Sequence, residues 1–189
     1  MDSPIRVAII IGSTREGRFG PTVARWIADH AAQRDDMDVD VIDLAEMDLP
    51  AAYPQRFSPA VRAYLARLDR ADAFIVVTPE YNHSFPAALK QAIDLGGREW
   101  QAKPVAFVSY GGMSGGLRAV EHLRQVFAEL HAVTIRDTVS FHNYGRQFDP
   151  SGQPLDAAGT GAAAKTMLDQ LAWWATALRT ARATRPYAA

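Results

Sequence analysis

The sequence has no cysteine among its 189 residues. The absence of cysteine excludes a disulfide framework, a CxxC redox pair, a cysteine-ligated iron–sulfur cluster and a thiol nucleophile. Any redox chemistry in this chain would therefore have to come from a bound organic cofactor or a metal ion.

An excess of charge of either sign is also missing. The 20 lysines and arginines stand against 21 aspartates and glutamates, which leaves a net charge of −1. Nucleic-acid-binding proteins are more often clearly basic, so we expect no nucleic-acid partner. No apolar stretch is long enough to span a bilayer, and the N-terminal MDSPIRVAIII does not have the form of a signal peptide. We therefore expect no membrane association and a cytoplasmic location.

What the sequence does contain is a series of short apolar runs. They cover residues 5–11, 39–44, 73–78, 104–110 and 132–141. Runs of this kind, rich in β-branched residues, are typical of strands that are covered on both faces, and segments with helical periodicity lie between them. The alternation predicts a single α/β domain over residues 1–189. Its flavodoxin-like, doubly wound, five-stranded parallel sheet would have the order 2-1-3-4-5 and helices on both faces.

Local signals predict where the helices begin. Pro21 suits a first helical position, and Ser58-Pro59 predicts an N-cap followed by a helix. We expect Ser84 to cap the third helix, Ser114 or Gly115 to open the fourth, and the last helix to run from about 160 to 180. The irregular stretch at 143–161 is long enough to be functional, an interface element or mobile.

The loop after the first strand reads GSTREGRFGP, at residues 12–21. Its glycine spacing is that of a nucleotide-triphosphate loop, but Arg18 and Phe19 stand where that loop needs Lys and Ser or Thr. Its backbone amides, the hydroxyls of Ser13 and Thr14, the cations Arg15 and Arg18 and the helix N-terminus all favour an anion. A single terminal phosphate, held without a metal, fits better than a triphosphate. The alternative is a tight glycine turn with solvated arginines.

Two further loops would meet the first at the same edge of the sheet. The loop after the third strand, TPEYNHSFP at 78–86, combines the flat face and polar groups of Tyr81 and Asn82 with backbone amides that could meet a heteroaromatic ring. The alternative is a capped strand-to-helix turn, and His83 is interpreted as a turn residue. The loop after the fourth strand, SYGGMSGGLR at 109–118, is rich in glycine, which lets a backbone approach a ligand closely. Its alternative is a flexible linker.

Together the three loops describe a site for a mononucleotide with a large flat base. With no cysteine and no metal-ligand constellation, FMN is the natural candidate, and we expect no metal.

Three segments of the sequence resemble the NADPH-dependent FMN reductase family, over about residues 5–140. They are GSTREGR, TPEYNHSFPAALKQAID and KPVAFVSYGGMSGGLRAVEHLRQVFAELHA. The family includes flavin, quinone, azo-dye and chromate reductases of flavodoxin-like fold. The resemblance implies FMN as cofactor, NADPH or NADH as co-substrate, and a homodimer or homotetramer with its sites near the subunit interface.

The resemblance also implies which residues hold the cofactor. The phosphate would be bound by Ser13 and Arg15 and by the backbone of Arg18, Phe19 and Gly20, where many relatives have Ser-Phe-Asn. The isoalloxazine would be lined by Pro79, Glu80, Tyr81 and Asn82, with His83 beside it where relatives often have glycine. Its other polar edge would face Ser109, Tyr110, Gly111 and Gly112.

The sequence therefore predicts an FMN-dependent NAD(P)H oxidoreductase. It would pass a hydride from nicotinamide through bound flavin to a small acceptor, which could be a flavin, a quinone, an azo compound or a metal oxyanion. Flavin N5 would carry the chemistry, so no side chain is expected to be catalytic. The alternative is a flavodoxin-type electron carrier serving a protein partner, but such carriers are usually strongly acidic and this chain is not. A flavin-free interaction module is a third interpretation, which the intact set of loops disfavours.

Overall fold

A computed structural model describes residues 3–188 and contains, among them, strands that alternate regularly with helices. The strands are β1 (Ile5–Ile11), β2 (Met37–Asp43), β3 (Ala73–Pro79), β4 (Pro104–Gly111) and β5 (Val133–His142). The helices are α1 (Gly20–Ala32), α2 (Pro59–Arg70), α3 (Ala87–Leu95), α4 (Leu117–Glu129) and α5 (Ala157–Thr184). A short 3-10 helix, Tyr144–Arg146, lies between β5 and α5.

The strands form one sheet in the order β2-β1-β3-β4-β5, and all neighbouring pairs are parallel. The predicted flavodoxin-like topology is therefore confirmed. Every residue of β3 and β4 is buried, which explains why those strands appear in the sequence as unbroken apolar runs. Because all the strands run in the same direction, their carboxyl ends share one edge, and the loops that follow β1, β2, β3 and β4 gather there.

Two hydrophobic cores cover the two faces of the sheet. One core contains buried residues of α1 and α5, such as Val23, Ile27 and Leu171. The other contains buried residues of α2, α3 and α4, such as Leu68, Leu89 and Phe127. This arrangement fixes the starts of α1, α3 and α4 at the carboxyl edge, where they frame the candidate site.

The predicted helix starts are partly confirmed. Ser58 caps α2, since its Oγ accepts a hydrogen bond from the Val61 N–H at 3.2 Å. The prediction that Ser84 caps α3 is wrong: Pro86 occupies the N-cap and no side chain caps the helix. The fourth helix begins at Leu117, later than predicted, because Gly116 has a left-handed φ of 89° and cannot continue a helix.

The last helix is longer than predicted, since it runs from Ala157 to Thr184. Leu171 and Ala175 are buried, whereas Trp174 is exposed. Its ring instead contacts the exposed ring of Trp173 edge-on, with the centroids 5.1 Å apart. None of the helices in the described part of the chain is long and apolar enough to cross a membrane.

Candidate functional site

The loop between β1 and α1 is shaped by two glycines. Gly12 packs closely against α3, because a Cβ there would lie 2.8 Å from a Leu89 methyl group, and its N–H donates to the Val77 carbonyl. Further along, Arg18 N–H donates to the Arg15 carbonyl at 3.2 Å and closes a turn in which Gly17 has a φ of +63°. A positive φ at this third turn position favours glycine. The turn presents Arg15 and Glu16 to solvent.

Most backbone N–H groups of this loop are open, that is, without a protein acceptor. Within residues 3–188, no protein acceptor pairs with the amides from Ser13 to Gly20, apart from that of Arg18. The last of these amides belong to the N-terminus of α1, where the helix dipole adds partial positive charge. A run of open amides at a helix N-terminus is an anion-binding arrangement.

The two arginines of the loop have different environments. Arg15 is exposed, and no carboxylate of the described residues forms an ion pair with it. Arg18 instead makes a two-pronged ion pair with Asp43 at the end of β2, with Nη2 and Oδ2 2.8 Å apart. The Arg18 side chain is therefore engaged by Asp43 in this structure, and its predicted part in anion binding stays a prediction. Arg15 is the exposed cation of this loop.

The loop after β3 begins at Pro79 and makes a tight turn. Tyr81 and Ser84 exchange backbone hydrogen bonds of 2.8 and 3.0 Å, and the two central residues, Asn82 and His83, have φ values of 47° and 77°. Positive φ at both central positions identifies a type I′ turn, for which Asn-Gly is the preferred pair. The turn projects Asn82 and His83 into solvent. The interpretation of His83 as a turn residue is confirmed.

A hydroxyl contact joins the first loop to the second. Ser13 Oγ and the Tyr81 hydroxyl lie 2.7 Å apart and are hydrogen-bonded. Ser13 is completely buried, so in this structure its hydroxyl positions Tyr81. This contact places the predicted phosphate loop and the predicted ring-binding loop side by side.

Glu80 joins the second loop to the third. Its carboxylate accepts hydrogen bonds from Arg118 Nε at 2.6 Å and from the Arg118 N–H at 3.3 Å, and its own N–H donates to the Tyr110 carbonyl. Burial alone would raise the pKa of this carboxyl, but hydrogen bonds from Ser114 and Arg118 hold it below its usual value. Glu80 is thus an ionised link between the loops, although the sequence predicted it as part of the ring-binding wall. Arg118 is the last residue of the SYGGMSGGLR segment singled out in the sequence, so the partner of Glu80 was visible there, but the pairing was not predicted.

The loop after β4 is compact rather than flexible. The Gly115 carbonyl accepts hydrogen bonds from the hydroxyls of Ser109 and Ser140, at 2.9 and 2.8 Å. A Cβ on Gly116 would lie 2.6 Å from that of Ser109, so this glycine is required by close approach as well as by its φ. By contrast, a Cβ on Gly112 would meet nothing within 4 Å, so its backbone faces open space.

The predicted residues of the third loop therefore divide into two groups. Gly112 is exposed at the bend, whereas Ser109, Tyr110 and Gly111 are buried beneath it at the end of β4. The buried Tyr110 hydroxyl lies under the helix start, since a Cβ on Gly20 would be 3.1 Å from it. Burial, chiefly, raises the pKa of this hydroxyl above its usual range, so it stays protonated.

An aromatic cluster beside the first loop was not predicted from the sequence. Phe19 contacts Tyr144 and Phe148, with ring centroids 4.9 Å apart in both pairs, and Tyr144 also contacts Tyr110 at 5.3 Å. The irregular segment after β5 therefore packs on the start of α1 and supports it. The aromatic residues in NYGRQF were the available signal, but their distant partners could not be identified from spacing.

A surface cavity of about 720 Å³ opens beside Thr14, between the loop after β2 and the first turns of α3. Its walls are largely apolar and include Leu44, Met47 and Ala87, with Gln91 on the α3 side. No cluster of three or more potential metal-ligating His, Asp or Glu side chains occurs in the described residues.

The sequence was compared with protein families and with known proteins, and it matches reductases. The sequence pattern of a family described as NADPH-dependent FMN reductase matches residues 5–146. The probable NADPH:quinone oxidoreductase 2 of Oryza sativa subsp. japonica is 34% identical over 162 residues, which is 80% of this chain and 80% of that protein. The quinone reductase of Escherichia coli strain K12 is 32% identical over 142 residues, which is 71% of this chain and 76% of that protein.

A solved structure has the same fold as this chain. FerB, a flavoenzyme NAD(P)H:(acceptor) oxidoreductase from Paracoccus denitrificans, superposes with a TM-score of 0.76 over 92% of this chain and 98% of that one. The sequences are 20% identical, so this likeness shows the shared fold and no more.

Proposed function

The chain belongs to the NADPH-dependent FMN reductase family, and we propose that it is an FMN-dependent NAD(P)H oxidoreductase acting on a small acceptor. The acceptor class comprises flavins, quinones, azo compounds and metal oxyanions. The observation that carries the proposal is the row of open amides at the start of α1 beside the exposed, unpaired Arg15, within the described residues.

The residues present fit FMN. Its phosphate is matched by the amides of the β1–α1 loop and by Arg15, because charge-assisted hydrogen bonds to phosphate are strong. We assign its ring to the Tyr81–Ser84 turn and the exposed backbone at Gly112. Both assignments are testable by mutation, and Arg15 is the side chain whose loss is expected to matter most.

When bound, FMN supplies the redox chemistry, taking a hydride from the nicotinamide and giving the electrons to the acceptor. The protein's contribution is to orient the reactants, which can supply a large part of the rate enhancement. Ser13 fixes Tyr81, and the Glu80–Arg118 ion pair fixes the distance between the second and third loops. Glu80 is ionised in this pair and His83 lies in an exposed turn, so neither is positioned as an essential acid.

Steady-state kinetics test the proposal that donor and acceptor occupy the same space in turn. Initial rates over a grid of NADPH and quinone concentrations are expected to give parallel double-reciprocal lines, the pattern of a ping-pong mechanism. Intersecting lines would indicate a ternary complex and two separate binding places.

The second candidate, a flavodoxin-type electron carrier, is less well supported. Such a carrier needs a charged docking surface for its protein partner. This chain has a net charge of −1, and the relatives reported above are named as reductases of small acceptors. An enzyme that turns over with a soluble quinone would separate the two functions.

The remaining parts of the proposal concern assembly and location. We infer a homodimer or homotetramer and a cytoplasmic location. The exposed aromatic pair Trp173 and Trp174 supports an assembly, since large exposed apolar side chains often mark partner surfaces.

A further inference from the structure

Asp43 ends β2 directly beside the point where the first loop begins. In the parallel pairing of β1 and β2, Asp43 is opposite Ile11, the last residue of β1. The chain leaves the sheet at Gly12, makes its turn, and returns at Arg18 to the carboxylate of Asp43. The loop is therefore closed by an ion pair across its base.

The geometry of this pair is unusually complete. Arg18 Nη1 is 3.1 Å from both carboxylate oxygens, Nη2 is 2.8 Å from Oδ2, and Oδ1 also accepts the Ala45 N–H at 3.1 Å. The side chains of Arg18 and Asp43 are only 16% and 12% exposed. A forked pair with little exposure fixes both position and direction, unlike a flexible surface ion pair.

Arg18 is followed at once by the residues that start α1. Phe19 and Gly20 contribute open amides, and Phe19 is held from the other side by Tyr144 and Phe148. The Asp43 pair thus restrains this helix start in addition to the aromatic cluster. It also neutralises the Arg18 charge and directs that guanidinium toward the base of the loop.

We propose that Asp43, acting through Arg18, is a positioning residue for the phosphate loop. This inference rests on the proposed binding of FMN. A simple charge effect and a positioning role predict opposite changes in phosphate affinity when the Asp43 charge is removed. Removing the Asp43 charge would remove a nearby anion and release a cation, which by charge alone should strengthen phosphate binding. Loss of the anchor should instead weaken it, because the amides must then be ordered during binding.

Asp43→Asn is the direct test, since it keeps the side-chain volume and an acceptor for Ala45 N–H while replacing the second carboxylate oxygen with a donor. We measure FMN and riboflavin affinity of apoprotein by flavin fluorescence. The expected result is an FMN affinity about tenfold lower, with riboflavin, which has no phosphate, within about threefold. A variant with only general structural damage would lose both flavins equally.

A double-mutant cycle shows whether Asp43 acts through Arg18. Arg18→Met should weaken FMN by a similar factor, and Asp43→Asn should add nothing in the Arg18→Met background. Additive losses would overturn the inference, as would unchanged or tighter FMN binding by Asp43→Asn. Asp40→Asn is the matched control, because Asp40 on the same strand pairs with Arg67 of α2, at 2.9 Å and away from the loop. It should leave both flavin affinities unchanged.

Arg18→Lys keeps the test decisive if Asp43→Asn does not fold. Lysine keeps the charge but cannot make the fork, so positioning predicts a loss similar to that of Arg18→Met, and a charge effect predicts wild-type affinity. Failure of the wild-type protein to bind FMN would refute the proposed function itself. Normal FMN binding that depends on Arg15 but not on Asp43 would refute only this inference.

Discussion

Replacing His83 in the Asn82–His83 turn by glycine is expected to raise the stability of the protein and to leave the rate of flavin reduction nearly unchanged. A residue with a Cβ in the left-handed region costs about 1–2 kcal/mol, and His83 has a φ of 77° at the position where a type I′ turn prefers glycine. Glycine costs about 0.5–1 kcal/mol more in backbone entropy on folding. The difference predicts that His83→Gly raises the free energy of unfolding by about 0.5–1 kcal/mol.

Urea unfolding of the apoprotein measures this effect, and for a domain of this size a gain of 1 kcal/mol corresponds to roughly 2–4 °C in Tm. His83→Ala is the matched control. It also removes the imidazole and its contact with the His122 ring, at 6.2 Å between centroids, but it keeps the Cβ and therefore the strain. Equal stabilities of His83→Gly and His83→Ala would contradict the strain argument.

The same variant tests the proposed chemistry. His83 is exposed, and no carboxylate among the described residues orients it. In His83→Gly, NAD(P)H should therefore reduce the bound flavin at a rate within about tenfold of the wild-type rate. A tenfold change in rate corresponds to about 1.4 kcal/mol in the activation barrier. The acceptor preference should change more, because in the proposed binding mode the side chain would border the space above the ring. Loss of reduction with FMN still bound would identify His83 as a catalytic acid.

Three further predictions concern other parts of the molecule. Arg15→Ala should weaken FMN about 10- to 100-fold and riboflavin much less, since charge-assisted contacts are worth about 1.5–3 kcal/mol; equal losses would refute the phosphate assignment. Burial lowers the pKa of the Lys103 ammonium from 10.5 to about 8. Between these values the unfolded chain binds more protons, so the free energy of unfolding should rise with pH, by up to about 3 kcal/mol. Lys103→Met should abolish the rise in urea-unfolding experiments, and a flat wild-type profile would contradict the argument. Light scattering at micromolar concentration should give the mass of a dimer or tetramer, and a monomeric mass would refute the inferred assembly.

The sequence predicted the fold well because its signals were local. Unbroken apolar runs identify buried parallel strands, and Ser58-Pro59 carries its own cap and first helical residue. The prediction that Ser84 caps α3 was wrong because both hydrogen-bonding parts of Ser84 are used elsewhere. The backbone of Ser84 is used in the turn with Tyr81, and its hydroxyl is hydrogen-bonded to His122, so neither group is available to a helix.

The candidate site was predictable in its loops but not in their connections. The open amides, and the positive φ of Gly17, Gly115 and Gly116, follow from the glycines and strand ends, whereas the positive φ of Asn82 and His83 does not. The ion pairs of Arg18 with Asp43 and of Glu80 with Arg118 join residues that are 25 and 38 positions apart, and charge spacing alone does not choose among the many possible partners. The exposure of Trp174 could not be predicted from its position in the sequence either, because it depends on how the long α5 helix lies on the sheet.

Anaerobic titration of the FMN-loaded protein with NADPH, followed by flavin absorbance, tests the central claim most directly. The account predicts stoichiometric bleaching of the oxidised flavin band, followed by its full return when a quinone is added under the same conditions. An Arg15→Ala sample that has lost its FMN provides the matched control. A wild-type protein that binds no FMN, or that keeps an oxidised flavin in excess NADPH and NADH, would contradict the account.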